Sequence, residues 1–141
     1  MESGKGLDIL KLFTFPFPLS PKEGVIILET MELAKKICKA ADGKKAGNII
    51  IMDMRGLMFS TDYFVICNAP TATQVRAIAD NVEEELDKEK IHFSHKEGYH
   101  EGEWILLDYG DVVVHIFKNE NREYYALEKL WGDAEITNYE G

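Results

Sequence analysis

The stretch from Tyr63 to Phe117 leaves few folds open, because it runs from a strand into a helix and from the helix into a hairpin. Tyr63 to Cys67 reads as a strand. Pro70 then precedes Thr71 and Gln74, the spacing of a capping box, in which the hydroxyl takes an early backbone N–H and the Gln side chain reaches back to the cap. Val75, Ile78, Ala79, Val82 and Leu86 recur at helical spacing, while Glu83, Glu84, Glu85 and Asp87 lie mostly off that stripe and read as a solvated face. Trp104 to Asp108 and Val112 to Phe117 are strands joined at Tyr109-Gly110. A strand–helix–strand step favours parallel neighbours, whereas a hairpin is antiparallel. Together they predict a mixed sheet with helices packed on it.

The rest of the chain fits around that centre. Leu33, Ala34, Ile37, Cys38 and Ala41 predict a helix that Gly43 stops. Asn48 to Met54 is a strand with apolar residues on both faces, hence central. Ile91 to Phe93 begins a further short strand. Asn121 to Trp131 forms the last helix, with Tyr124, Leu127, Leu130 and Trp131 on its apolar face and Gly132 ending it. The expected order is α-β-β-α-β-β-β-α, an α/β (α+β) fold with about five strands.

A length of 141 residues suits one domain. The domain is expected over 29–136. Residues 1–28 form a tail or arm, because Phe15 to Pro18 alternate Phe and Pro and cannot join a regular helix. This segment is either an upstream start ahead of Met31 or an added arm. Residues 137–141 are expected to be a C-terminal tail. Cys38 and Cys67 are not in a CxxC pair, which points to a reduced, cytoplasmic setting. Pro16 and Pro18 interrupt the apolar stretch from Leu7 to Leu19, so neither a membrane span nor a signal peptide is expected.

Charge narrows the partners. The formal net charge is -9, and it is uneven: residues 1–47 hold 8 basic and 6 acidic side chains, residues 48–141 hold 8 and 19. Such a surface repels phosphate, which argues against direct nucleic-acid binding and for a basic protein partner. Five carboxylates and no Lys or Arg lie between Glu97 and Asp111.

With a two-residue loop, Asp108 pairs with Asp111, Leu106 with Val113 and Trp104 with His115, and all six share one face. Facing carboxylates repel, so either the loop is wider or a cation compensates. Two readings stay open. Trp104 is core, His115 caps a carbonyl and the aspartates are turn residues; or the face recognises a basic partner.

No chemistry-bearing motif appears. There is no GxxxxGK[ST], GxSxG or HExxH. His92, His95 and His100 lack ligand spacing with a Cys or carboxylate. No catalytic residue, metal or cofactor is expected. The alternative is a divergent, metal-dependent nucleotidyltransferase-like enzyme using Asp108 and Asp111, although these are three apart across a turn and no Gly-Ser loop precedes them.

Several segments in order carry a resemblance: Asp53 to Gly56, Ser60 to Ile66, Gln74 to Ala77, Glu97-Gly98, Glu103 to Asp108, Gly110 to Phe117 and Tyr125 to Asp133. Over about residues 30–136 the chain resembles the ribosomal silencing factor (RsfS, Iojap-like) family. The resemblance implies a homodimeric domain, nucleotidyltransferase-like in shape but without that activity. It implies binding to the large ribosomal subunit through a protein of its subunit interface, blocking the small subunit and lowering translation. By analogy Trp104 matches the partner-contacting tryptophan. Asp108, Asp111, His115 and Glu97 match motif positions around it, and Leu106 lies between them. The chain departs from the family's Thr-Gly-Thr-Ser loop, having Asn68, Ala69, Pro70 and Thr71 there.

Overall fold

The computed structural model describes residues 21–141, with side chains from Thr30 onward. Helix α1 (Pro21–Asp42) leads into strands β1 (Gly47–Asp53) and β2 (Tyr63–Ala69), then helix α2 (Ala72–Asp87). Strands β3 (His95–Glu97), β4 (Trp104–Asp108) and β5 (Val112–Lys118) follow. Helix α3 (Asn119–Tyr125), the single turn α4 (Leu127–Leu130) and strand β6 (Glu135–Asn138) complete the chain. The sheet order is β3-β4-β5-β2-β1-β6. Among the described strands only the neighbours β2 and β5 run parallel, connected through α2, β3 and β4, and the other neighbours are antiparallel. This is the mixed sheet that a strand, a capped helix and a hairpin in succession require.

The two faces of the sheet are covered unequally, and that positions the site. Helices α1 and α2 close one face, burying Ala34, Ile37, Val75, Ile78, Val82 and Leu86 against Val65, Ile105, Leu107, Val114 and Ile116. Each fully buried Val, Ile or Leu here contributes about 1.5–3 kcal/mol. The opposite face carries Ile50, Met52, Phe64, Ile66, Val113 and Phe117. Only short pieces cover it, chiefly Leu127, Trp131 and Ala134, and Trp104 and Leu106 remain half-buried.

Several boundaries differ from expectation. Helix α1 starts at Pro21, not near residue 29, so residues 21–28 are helical; proline's fixed φ suits a first helical position. Phe15 to Pro18 lie outside the described residues. At α2, Thr71 Oγ1 accepts the Gln74 N–H at 3.1 Å, but the other half of the capping box is replaced. Gln74 Nε2 donates to the Lys44 carbonyl at 3.4 Å, tying α2 to the α1–β1 loop. Ile91 to Phe93 form no strand; both apolar side chains pack into the core from a loop, and pairing begins at His95.

The last helix is broken. Ala126 adopts φ 47 and ψ 56, which ends α3 and turns the chain into α4. A left-handed alanine costs about 1–2 kcal/mol. The break lets the Tyr125 ring lie tilted against Trp104 while Leu127 enters the core. Tyr124 and Leu130, expected on the apolar face, are exposed. Strand β6, which had no counterpart in the sequence reading, straddles the boundary placed at residue 136. All four of its residues are exposed, so backbone pairing with β1 makes it a strand, not apolar alternation.

Candidate functional site

The site is the open face around the β4–β5 hairpin. Asp108 pairs with Val113, Leu106 with His115 and Trp104 with Phe117, and Tyr109 N–H donates to Val112 O at 2.9 Å. The register is therefore two residues away from the one expected. The turn is Gly110-Asp111, with Gly110 at φ 87, the pattern of a turn that needs glycine first. A shift of two preserves parity, so Trp104, Leu106, Asp108 and His115 still share a face.

Asp111 leaves that face. It sits in the turn, and its carbonyl accepts N–H bonds from Asp62 and Tyr63 at 2.8 and 3.1 Å. Asp108 Oδ1 accepts the Gly110 N–H at 2.7 Å. The facing carboxylate pair thus never forms, and no compensating cation is needed.

Glu97 lies one strand over, opposite Leu106, and is exposed. Its neighbour Lys96 points inward, donating to Glu83 at 2.9 Å and lying 4.6 Å from the Tyr99 ring centroid. That anchor fixes the short edge strand on α2 and leaves Glu97 outward. Gly98 follows at φ 77, and a Cβ there would come within 2.0 Å of the Trp104 carbonyl oxygen. Gly98→Ala is accordingly expected to lose about 1–3 kcal/mol from the backbone conformation alone, with the clash added. Urea denaturation measures it, and a midpoint equal to wild type would contradict this close approach.

Two aromatic rings pack against Trp104. Phe117 stacks at 4.9 Å and Tyr125 lies at 4.6 Å between centroids. Tyr124 meets Tyr125 edge-on at 5.1 Å and is 80 % exposed. Tyr125 and Phe117 were missed as site residues. The Phe117 contact depends on the observed register, and the Tyr125 contact on the break at Ala126.

His115 lies beneath Trp104, only 4 % exposed. Its Nδ1 accepts the indole N–H of Trp104 at 3.1 Å. The Phe64 ring meets it at 4.5 Å, edge-on. Burial pushes its pKa down to about 3, so the ring is neutral at physiological pH.

The other candidate chemistry does not converge. Among the described residues no three His, Cys, Asp or Glu side chains cluster as metal ligands. His92 Nδ1 pairs with Asp87 at 2.9 Å, and His95 Nδ1 lies 3.9 Å from Asp108 Oδ2. Cys38 and Cys67 are buried, and burial pushes both thiols up to about 12, which disfavours a nucleophilic thiolate. Among the described residues no helix is long and apolar enough to cross a membrane.

The family description "Ribosomal silencing factor during starvation" matches residues 28–140. The chain belongs to the ribosomal silencing factor family. It is 40 % identical over 114 residues to Ribosomal silencing factor RsfS of Halalkalibacterium halodurans, covering 81 % of this chain and 97 % of that one. It is 42 % identical over 106 residues to the protein of the same name from Bacillus subtilis, covering 75 % and 90 %. A crystal structure of a Chromobacterium violaceum protein is similar at TM-score 0.72 and 31 % identity, covering 79 % of this chain and 93 % of that one.

In this ribosomal silencing factor the end of β2 is well anchored. Asn68 Nδ2 donates to Asn119 Oδ1 at 2.7 Å, and its Oδ1 accepts from Arg122 Nη1 at 2.6 Å. Arg122 also pairs with Glu128 across the break at Ala126. The end of β2 therefore buttresses the segment that delivers Tyr125 to Trp104.

Proposed function

We propose that this chain represses translation by occupying the large ribosomal subunit and sterically preventing the small subunit from joining. It binds through a basic protein of the subunit interface, without catalysis. The observation that carries this reading is the half-exposed Trp104 on the sheet face that α1 and α2 leave open, with exposed Glu97, Glu101 and Glu103 nearby. A rigid aromatic anchor supplies affinity, and carboxylates around it steer a Lys- or Arg-bearing surface into place. The names of the relatives support the same reading. Asp108 and Asp111 stay partner-facing candidates, the second from the hairpin tip. The resemblance also implies a homodimer, whose oligomeric state sedimentation equilibrium measures, and the cysteine usage fits a reduced, cytoplasmic setting.

Sucrose-gradient sedimentation tests the function directly. The chain is expected to travel with isolated large subunits and to reduce their joining with small subunits. Normal joining at saturating protein would reject the steric block. Glu97→Lys is expected to weaken binding about tenfold, with a shallower dependence on salt. An unchanged salt slope would count against the electrostatic part. The enzymatic alternative predicts stabilisation by magnesium and nucleotides in a thermal shift.

A further inference from the structure

His115 poses a question that recognition by direct contact does not answer. It is almost fully buried, with Trp104 over it, so a partner arriving at this face meets the indole and not the imidazole. An aromatic or aliphatic side chain would fill the same space between Phe64, Leu106 and Ile66 without desolvating two ring nitrogens. The imidazole's polarity must therefore serve a contact, and among the described residues it makes one. Its Nδ1 takes the Trp104 indole N–H, while Nε2 has no partner. The indole nitrogen can only donate, so Nδ1 must carry the lone pair and Nε2 the hydrogen. Among the described residues this buried donor has no acceptor, which is rare enough to need an explanation.

We propose that His115 is the positioning residue of the recognition face: as the Nε2–H tautomer it fixes the Trp104 indole in one pose and does not itself touch the partner. Phe117 and Tyr125 both pack against the indole, their own ring centroids 6.3 Å apart. Ring packing carries little direction, whereas the hydrogen bond to His115 Nδ1 sets where the indole N–H points. Depressed basicity supports the assignment, because a neutral ring keeps the accepting lone pair throughout the physiological range. Fixing the anchor before encounter removes an ordering cost from binding, equivalent to a gain of about 2- to 12-fold in affinity for one large side chain. This consequence for affinity rests on the proposed function, whereas the tautomer and the fixed indole do not.

The experiment begins with the unaltered full chain. Long-range proton–nitrogen correlation at pH 7 is expected to show His115 as the Nε2–H tautomer, and the Trp104 indole N–H to exchange slowly. Comparison with Trp131→Phe assigns the two indole signals. An Nδ1–H tautomer, or an indole proton exchanging as fast as a free one, overturns the proposal without any need for a folded variant. His115→Phe then keeps the ring and removes the acceptor. It is expected to speed indole exchange at least about tenfold and to weaken large-subunit binding about 2- to 12-fold. His115→Asn puts an amide oxygen close to the place of Nδ1 and is expected to restore both. A Phe variant with wild-type exchange and wild-type binding overturns the proposal. A loosened indole with unchanged binding overturns the role in recognition. If Trp104→Ala then also binds normally, the failure lies with Trp104 as the anchor and not with the hydrogen bond.

Discussion

Replacing Trp104 by alanine is expected to abolish co-sedimentation with isolated large ribosomal subunits while leaving the chain folded. Buried tryptophans at the centre of interfaces cost about 2–4 kcal/mol or more when truncated, a loss of roughly 30- to 1000-fold. Trp104 has the features of such an anchor: it is half-exposed, stacked on Phe117, in contact with Tyr125, and flanked in sequence by Glu101 and Glu103. The variant also uncovers Phe117 and leaves His115 Nδ1 without its donor, so stability should fall by about 2–3 kcal/mol. The larger core, between α1, α2 and the sheet, is on the other side and stays intact. Circular dichroism and a melting curve separate the two effects. Wild-type co-sedimentation by a folded Trp104→Ala protein would sink the recognition-face reading.

The second large effect is an acid-labile core. In the unfolded chain His115 binds a proton with an ordinary pKa of about 6.5; in the fold, burial holds it down to about 3. Between those values the unfolded state carries more protons, so stability falls as pH falls. The expected slope is about 1.4 kcal/mol per pH unit, with the full contribution present above pH 6.5 and lost on approach to pH 3. Asp53, lowered by hydrogen bonds and charge from Arg55 despite its partial burial, adds its own acid loss only near and below the ordinary carboxylate range. The interval from about pH 6.5 to 4.5 therefore reports on His115. Urea midpoints measured across that interval should fall for the wild type and stay nearly flat for His115→Phe. Parallel curves for the two proteins would show that this ring takes up its proton in the folded state.

The order of elements and the mixed sheet were legible because period and punctuation are local. Val75 to Leu86 repeats at helical spacing, Thr71 caps it, and Tyr63 to Cys67 and Val112 to Phe117 are strand-like without reference to anything distant. Elements with no local signal were missed. Strand β6 has one apolar residue and exists through its hydrogen bonds to β1. The break at Ala126 contradicts local propensity and is stabilised by contacts that Tyr125 and Leu127 make to strands far away in sequence.

The candidate site divides along the same line. By itself the sequence determined which side chains of the hairpin share a face, since parity along a strand survives any even shift of register. It likewise determined that the surroundings are acidic, because composition does not depend on packing. Only the tertiary structure decided that Asp111 leaves that face, through a turn that begins at Gly110 and is held by Asp62 and Tyr63. Only the tertiary structure separated Trp104 from His115, two motif residues that look equivalent in a string. Burial depends on what covers a side chain, and the indole covers the imidazole. One residue is left facing solvent, and the other holds it there.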